Sequence, residues 1–207
     1  MIKRKDINKH YSQLFNKYGR NVKSVQWSDS ITQEKRFYNL IKNIQDGSSI
    51  VDVGCGFGDL YQFIKNQEIN IKKYIGIDFT REFINEAINA FNKEENASFI
   101  HADITCEGIP SGEDWYIASG IFNNKSDDNE TFLFEVISIM YDACAIGITF
   151  NLLSTYVDYF NDDLFYIDPS NVFEFCKNKI SPKVSIDHSY LLKPSVNPYE
   201  YTVSILK

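Results

Sequence analysis

The stretch "SIVDVGCGFGDLYQFI", residues 49–64, constrains the fold more than any other part of the chain. A run of β-forming residues meets three glycines at Gly54, Gly56 and Gly58, and a helical pattern follows at once. The whole chain of 207 residues holds only ten glycines, so this cluster marks a backbone that must turn tightly. A strand that ends in such a turn and re-enters as a helix is the opening unit of a doubly wound α/β sheet. Ligands in such folds bind at the carboxyl ends of the strands. Free N–H groups at the turn and at the helix N-terminus then approach the ligand with no Cβ in the way.

The spacing also restricts the ligand. It reads G-x-G-x-G, whereas a dinucleotide turn wants its third glycine at position 59, which here is Asp59. A carboxylate at the helix N-terminus is a poor neighbour for a pyrophosphate, which weakens a nicotinamide oxidoreductase. No G-x-x-x-x-G-K-[ST] stretch is present. The turn therefore suits a nucleoside ligand without a pyrophosphate.

Beyond the turn, strand and helix patterns alternate. "SIVDVG", "IKKYIGIDF", "ASFIHAD", "DWYIASG" and "CAIGITFN" read as strands. "DLYQFIKN", "TREFINEAINAFNK", "DNETFLFEVISIMYDA" and "SNVFEFCKN" read as helices, with Thr80 and Ser170 as caps. In the second of these helices Phe83, Ile84, Ala87, Ile88 and Phe91 share one face. "KVSIDHSY" and "YEYTVSILK" have no helix between them and close the chain as an antiparallel hairpin. The expected fold class is α/β: a doubly wound, mostly parallel seven-stranded sheet with a C-terminal antiparallel hairpin and helices on both faces. Residues 1–45 read as helical pieces with a break near "YGRNVKSVQW". In the second piece Ser30 is the expected cap, and Ile31, Phe37, Leu40, Ile41 and Ile44 lie at helical spacing.

Two acidic residues follow strands in the places where a nucleoside needs partners. Asp78 ends the second strand, where a carboxylate accepts both hydroxyls of a ribose; Ile77 and Phe79 flank it and can sandwich a purine. Asp103 follows the third strand, where its carboxylate can accept an adenine amino hydrogen and the Ile104 N–H can meet a ring nitrogen. The alternatives are a helix-capping role for Asp78 and a turn-forming role for Asp103.

In this order and spacing, "VDVGCGFGD", "YIGIDFT", "FIHADIT" and "DWYIASGIFN" resemble the motifs of class I S-adenosylmethionine-dependent methyltransferases. The closing "DHSYLLKPSVNPYEYTVSILK" also looks like the end of that fold. The resemblance implies S-adenosylmethionine as methyl donor and S-adenosylhomocysteine as product. It implies a Rossmann-like methyltransferase domain at 46–207 and an N-terminal helical cap at 1–45 that closes the cofactor site. It further implies contacts to the methionine part from Gly54, Cys55 and Gly56, with Asp52 orienting its amino group. Asp78 and Phe79 would meet the ribose and its base, and Asp103 and Ile104 the adenine. Ser119 and Gly120 would line the reacting sulfur. Gln33 and Arg36, three apart on one helix face, fit a looser W…Q..RF pattern and are candidates to neutralise the cofactor's carboxylate. A surface Arg–Glu contact is the other reading of Arg36.

The acceptor is read mainly by exclusion. The net charge of −7 argues against a protein held to nucleic acid by phosphate contacts. The basic N-terminal run "KRK", with Lys17, Arg20 and Lys23, is the only candidate patch and reads as a solvated terminus. After the fourth strand stands Ser119-Gly120-Ile121-Phe122-Asn123, not the Asn/Asp-Pro-Pro-aromatic motif of many base-methylating enzymes, and no cysteine follows a proline. A small polar or sugar-like acceptor is expected. Residues 152–169, dense in Tyr and Asp, read as its binding insertion. Tyr156, Tyr159, Tyr166 and Asn123 are the expected substrate contacts, and His188, Asp158 and Tyr156 the candidate catalytic groups. An RNA or protein methyltransferase, and an inactive cofactor-binding module serving a protein partner, are the alternatives. Cys55, Cys106, Cys144 and Cys176 lie far apart, with no zinc spacing, and fit free thiols in the cytoplasm. No metal is expected. No apolar run reaches the roughly 18–20 residues of a membrane span, and no signal-peptide core follows the basic start.

Overall fold

A computed structural model describes residues 6–21, 23–26, 29–194 and 197–207. Lys3, Arg4, Lys5 and Trp27, which carried part of the sequence reading, lie outside the described residues. The strands are β1 (Ser48–Val53), β2 (Ile71–Asp78), β3 (Ala97–His101), β4 (Trp115–Ala118), β5 (Gly147–Leu153), β6 (Val184–Asp187) and β7 (Glu200–Leu206). The helices are α1 (Ile7–Tyr18), α2 (Ser30–Ile41), α3 (Asp59–Asn66), α4 (Arg81–Phe91), α5 (Ile104–Glu107), α6 (Asn129–Ala143) and α7 (Pro169–Lys179).

One seven-stranded sheet runs in the order β3-β2-β1-β4-β5-β7-β6. The pairs among β1 to β5 are parallel, and β7 runs antiparallel between β5 and β6. The order reverses at β1 and β4, so the crevice for a ligand opens above their carboxyl ends. The α/β sheet with its closing antiparallel strands is the architecture that the alternating pattern predicts.

Strand periodicity builds two cores. In β1, Val51 and Val53 face one layer and Ile50 the other; in β4, Tyr116 and Ala118 oppose Ile117. One layer packs these strands and β5 under α6 and α7, through Leu133, Val136, Ile137, Met140, Val172 and Cys176. The other packs β1 and β2 under α2 and α3, through Phe37, Leu40, Ile41, Leu60 and Ile64. Parallel strands covered on both faces must be apolar nearly throughout, and β1 and β5 are buried along their whole length.

Several local expectations need correcting. The cap of α2 is Asp29, whose carboxylate accepts from Thr32 N–H at 2.8 Å, and Ser30 is already helical. The cap of α7 is Asp168, which accepts from Ser170 N–H at 2.8 Å and leaves Pro169 in the first turn, where its missing N–H costs nothing. Thr80 stands at the cap position of α4, but its hydroxyl makes no cap bond. Ile31 and Ile88 share the expected apolar spacing yet are 66% and 45% exposed. Spacing alone misplaces them because each sits at the edge of its helix's apolar stripe.

Candidate functional site

A cavity of about 450 Å³ opens at the carboxyl ends of β1, β2, β3 and β4. This is within the usual size of a small-ligand pocket. Its floor is the glycine turn. Gly54 has φ +75, and a Cβ there would lie 2.2 Å from Ile121 Cγ2, so the turn after β1 and the turn after β4 press directly on each other. Gly58 has φ +77 and packs beneath Phe91 and Phe99. It is the N-cap residue of α3, so the third glycine serves helix packing rather than ligand approach.

Asp78 is 7% exposed and lines the cavity. Its carboxylate accepts from Gly56 N–H at 3.0 Å and from Thr80 N–H at 2.7 Å. The capping alternative is therefore realised in part. It does not consume the group, since an ionised carboxylate has about four acceptor sites and two remain. Asp103 behaves alike: it accepts from Thr105 N–H at 3.0 Å to cap α5, while also lining the cavity with Ile104.

The floor is acidic. Burial pushes Asp52 up to about 7; the Tyr74 hydroxyl donates to it and pulls the other way, while Asp78 and Asp59 add to the rise. Burial also raises Asp78, against the pull of the Thr80 and Gly56 N–H groups, and raises Asp59, to which Gln33 Nε2 donates at 3.2 Å. A ligand bringing positive charge would relieve this lining. Ser119 supplies another opening for a ligand: its Oγ is buried at the cavity wall without a hydrogen-bond partner. Carboxylates, exposed turn backbone and an orphaned hydroxyl together fit S-adenosylmethionine, whose sulfonium and ammonium are cationic and whose ribose needs acceptors.

The cavity thus brings together Gln33, Asp52, Gly54, Cys55, Gly56, Asp78, Phe79, Asp103, Ile104, Ser119 and Gly120. Arg36 does not line it. Its Nε donates to Glu200 at 2.6 Å, with the Glu200 side chain wholly buried, because a guanidinium held inside the fold needs a carboxylate beside it. The expected acceptor residues also lie elsewhere. Tyr156 and Tyr159 are 63% and 77% exposed. Tyr166 packs on Phe160 and accepts from Asn161 N–H. Asp158 accepts from Asn197. His188 rests against Tyr201 and Tyr156, with Nε2 3.0 Å from the Pro198 carbonyl. None of these lines the cavity, and neither does Asn123, whose carbonyl is taken by Phe165 N–H.

What sequence reasoning missed is the roof. Ile7, Asn8 and Tyr11 of α1, with Val25, line the same cavity. The Tyr11 ring meets Phe79 and Phe83 edge-on, and Asn8 Nδ2 donates to the Phe79 carbonyl at 3.2 Å. Across the mouth, Asn124 Nδ2 donates to Tyr11 Oη and to Gln26 Oε1, each at 2.8 Å. Asn124, Ser126, Asn129 and Phe132 continue the wall. No motif marks these residues; the one available signal was the aromatic spacing of Tyr11 and Phe15 on a helix read as a cap.

Known proteins share the family and the fold. Residues 50–140 match the family described as "Methyltransferase domain". A provisionally named methyltransferase of Mycobacterium tuberculosis is 35% identical over 173 residues, which is 81% of this chain and 98% of the relative. Magnesium protoporphyrin IX methyltransferase from Synechocystis, solved with bound S-adenosylhomocysteine, superposes with a TM-score of 0.67 at 11% identity, covering 99% of this chain and 97% of that one. A phosphoethanolamine N-methyltransferase of Haemonchus contortus, with phosphoethanolamine and S-adenosylhomocysteine, has a TM-score of 0.67 at 12% identity over 98% of this chain and 49% of its own. With the glycine turn, the acidic floor and the sheet order in agreement, the chain belongs to the class I S-adenosylmethionine-dependent methyltransferases.

Proposed function

We propose that this methyltransferase acts on a small polar metabolite that enters the cavity beside the cofactor. The observation that carries this reading is the composition of the roof and far wall. Outside the strand-end turns, the polar lining comes from Asn8, Tyr11, Gln33, Asn124, Ser126 and Asn129, neutral hydrogen-bonding side chains set among the apolar Ile7, Val25, Phe37, Phe83 and Phe132. Such groups suit a neutral or weakly charged polar molecule. A nucleic-acid strand would instead call for a basic approach, and the net charge is −7. The solved relatives named above include enzymes of small-molecule acceptors. We therefore assign the acceptor contacts to α1 and the segment after β4, rather than to residues 152–169.

The cofactor supplies a methyl group on a positively charged sulfur. A lone pair of the acceptor attacks the methyl carbon, the carbon–sulfur bond breaks with its electrons going to sulfur, and the acceptor loses a proton. The chain's part is to align the two reactants and exclude water. In this reading Asp78 holds the ribose, Asp103 and Ile104 the adenine, Asp52 the ammonium, and Gly54, Cys55, Gly56, Ser119 and Gly120 the methionine end. Residues 1–45 then divide into the roof α1 and the wall α2 of one site.

The test is transfer of tritiated methyl from S-adenosylmethionine to fractionated small molecules, RNA and protein of the source cell. Label in a small-molecule fraction is expected, with Asn124→Ala and Ser126→Ala lowering transfer while S-adenosylmethionine binds within about threefold of wild type. Label concentrated in RNA or protein would refute the acceptor class.

A further inference from the structure

The turn after β4 is held from behind by a buried amide oxygen. Gly120 has φ +73 and donates its N–H to Asn151 Oδ1 of β5 at 2.8 Å. Asn151 is fully buried. Because its oxygen faces an N–H, its NH₂ group points the other way. Glu200, a 1% exposed residue of β7, lies one diagonal step away across the β5–β7 ladder, and the buried Asn151 Nδ2 makes no hydrogen bond among the described residues. Glu200 in turn accepts from Arg36 Nε at 2.6 Å and from the Tyr190 hydroxyl at 3.3 Å. Burial raises Glu200, and the Arg36 and Tyr190 hydrogen bonds draw it back down.

The Arg36–Glu200 pair thus lies on the strand beside Asn151, and Asn151 holds a turn at the cavity wall. That turn is mechanically tied to the cofactor floor. Ile121, next to Gly120, presses on Gly54 so closely that a single Cβ there would collide with it. A shift of the Gly120 turn therefore displaces the glycine turn as well. A close-packed contact transmits such a shift rather than absorbing it.

We propose that Asn151 is a positioning residue for methyl transfer: its amide oxygen fixes the Gly120 N–H, and its fully buried place on β5, between β4 and β7, holds the amide. This role rests on the assignment of the Ser119–Gly120 turn to the methionine end of the cofactor.

Three measurements decide it. In the free wild-type protein, the Gly120 amide is expected to exchange with solvent at least 100-fold more slowly than exposed loop amides. Asn151→Ala, folded by circular dichroism, is expected to bind S-adenosylmethionine at least tenfold more weakly by calorimetry. The exchange variant N151D/E200Q keeps one acceptor facing Gly120 and one carboxylate in the Arg36 cluster, and it is expected to bind within about threefold of wild type. A purely packing role would lower the melting temperature of both variants and leave affinity unmoved. Rapid exchange at Gly120, wild-type affinity in Asn151→Ala, or an equal loss in the exchange variant would each overturn the role. Should Asn151→Ala fail to fold, the wild-type exchange rate and the exchange variant still decide. Asp78→Ala serves as the control for the site itself. A loss there with none in Asn151→Ala removes only the positioning role, whereas no loss in either removes the cofactor assignment.

Discussion

Helices α1 and α2 are neighbours in sequence, twelve residues each, and both line the cavity. They are built on different terms. Helix α2 buries seven residues, among them Phe37, Leu40 and Ile41, and its first turn is capped by Asp29. Helix α1 buries none and its N-cap Asp6 makes no side-chain cap bond. It rests on ring edges, Tyr11 on Phe79 and Phe83 and Phe15 on Phe83, and on the two amide bonds of Asn8 and Asn124. A helix of that length is marginal without packing, so α1 is the part of the site whose closure is weakly held. Helix α2 is wall and α1 is roof.

The largest expected difference is in stability. Leu40 is 2% exposed in the layer with Phe37, Ile50 and Leu60. Leu40→Ala is expected to cost about 2–5 kcal/mol in chemical denaturation. Leu14 of α1 is only half-buried, and Leu14→Ala is expected to cost about 1 kcal/mol or less. Equal losses at the two positions would show that α1 is part of the cooperative core.

The same contrast explains which features the sequence announces. Helix α2 carries Phe37, Leu40 and Ile41 at helical spacing because it packs on a sheet, and packing on a sheet imposes a period. The floor was legible for a similar reason. Gly54, Asp52, Asp78 and Asp103 stand at strand ends, and strand ends are marked by where the apolar runs stop. The roof is set by what crosses the cavity, and no local period records that. Asn124 was passed over for its neighbour Asn123 because the backbone turn that aims one inward leaves no trace in residue type. Arg36 was misjudged for a different reason. Its partner Glu200 is 164 residues away, and only the insertion of β7 beside β5 brings the two together. Tyr156 and Tyr159 carry chemically capable side chains, but pairings of 123–125 with 163–165, such as Lys125 N–H to the Asp163 carbonyl, anchor their loop and neither lines the cavity; His188, just past β6, is held at the Pro198 carbonyl.

Second in size is the response of the roof to ligand. Lys17 and Arg20 are exposed at the end of α1 and just beyond Gly19. Tryptic cleavage there requires α1 to lift. If lifting releases S-adenosylmethionine, ligand at 100 times its dissociation constant should slow cleavage about 100-fold, the equivalent of about 2.7 kcal/mol. Arg36 of the wall should remain uncut with or without ligand. Cleavage near residue 20 at one unchanged rate would break the distinction between roof and wall.

Third comes pH, which separates the charged floor from the neutral roof. Asp52 is raised to about 7 in the free protein, chiefly by burial. Its protonated form attracts no ammonium, so ligand binding must release the proton. The sign follows: affinity for S-adenosylmethionine falls as pH drops through 7. Calorimetry is expected to show binding about fourfold weaker at pH 6.5 than at pH 8, with proton release to the buffer at the lower pH. Asp52→Asn should flatten this profile. Removing the hydroxyl of Tyr11 should leave it intact, since the roof groups Asn8 and Asn124 carry no charge.

The smallest effect should come from that hydroxyl. Asn124 spends both amide hydrogens, one on Tyr11 Oη and one on Gln26 Oε1, so the Tyr11 oxygen accepts in this bond and its own proton is left for another group. Burial and the nearby Asp78 hold the phenol above its ordinary value, so it stays protonated across the working range. Tyr11→Phe keeps the ring contacts to Phe79 and Phe83 and removes only the latch across the mouth. One neutral hydrogen bond contributes about 0.5–1.5 kcal/mol, and a mouth open to water recovers part of it. The expected outcome is a two- to threefold faster release of S-adenosylmethionine in stopped-flow, with the melting temperature of the free protein unchanged within about a degree. Tyr11→Ala, which also removes the ring, should release faster still. If the two variants release the ligand at the wild-type rate, Tyr11 does not close the site, and the roof is held by the rings of Phe15, Phe57 and Phe83 alone.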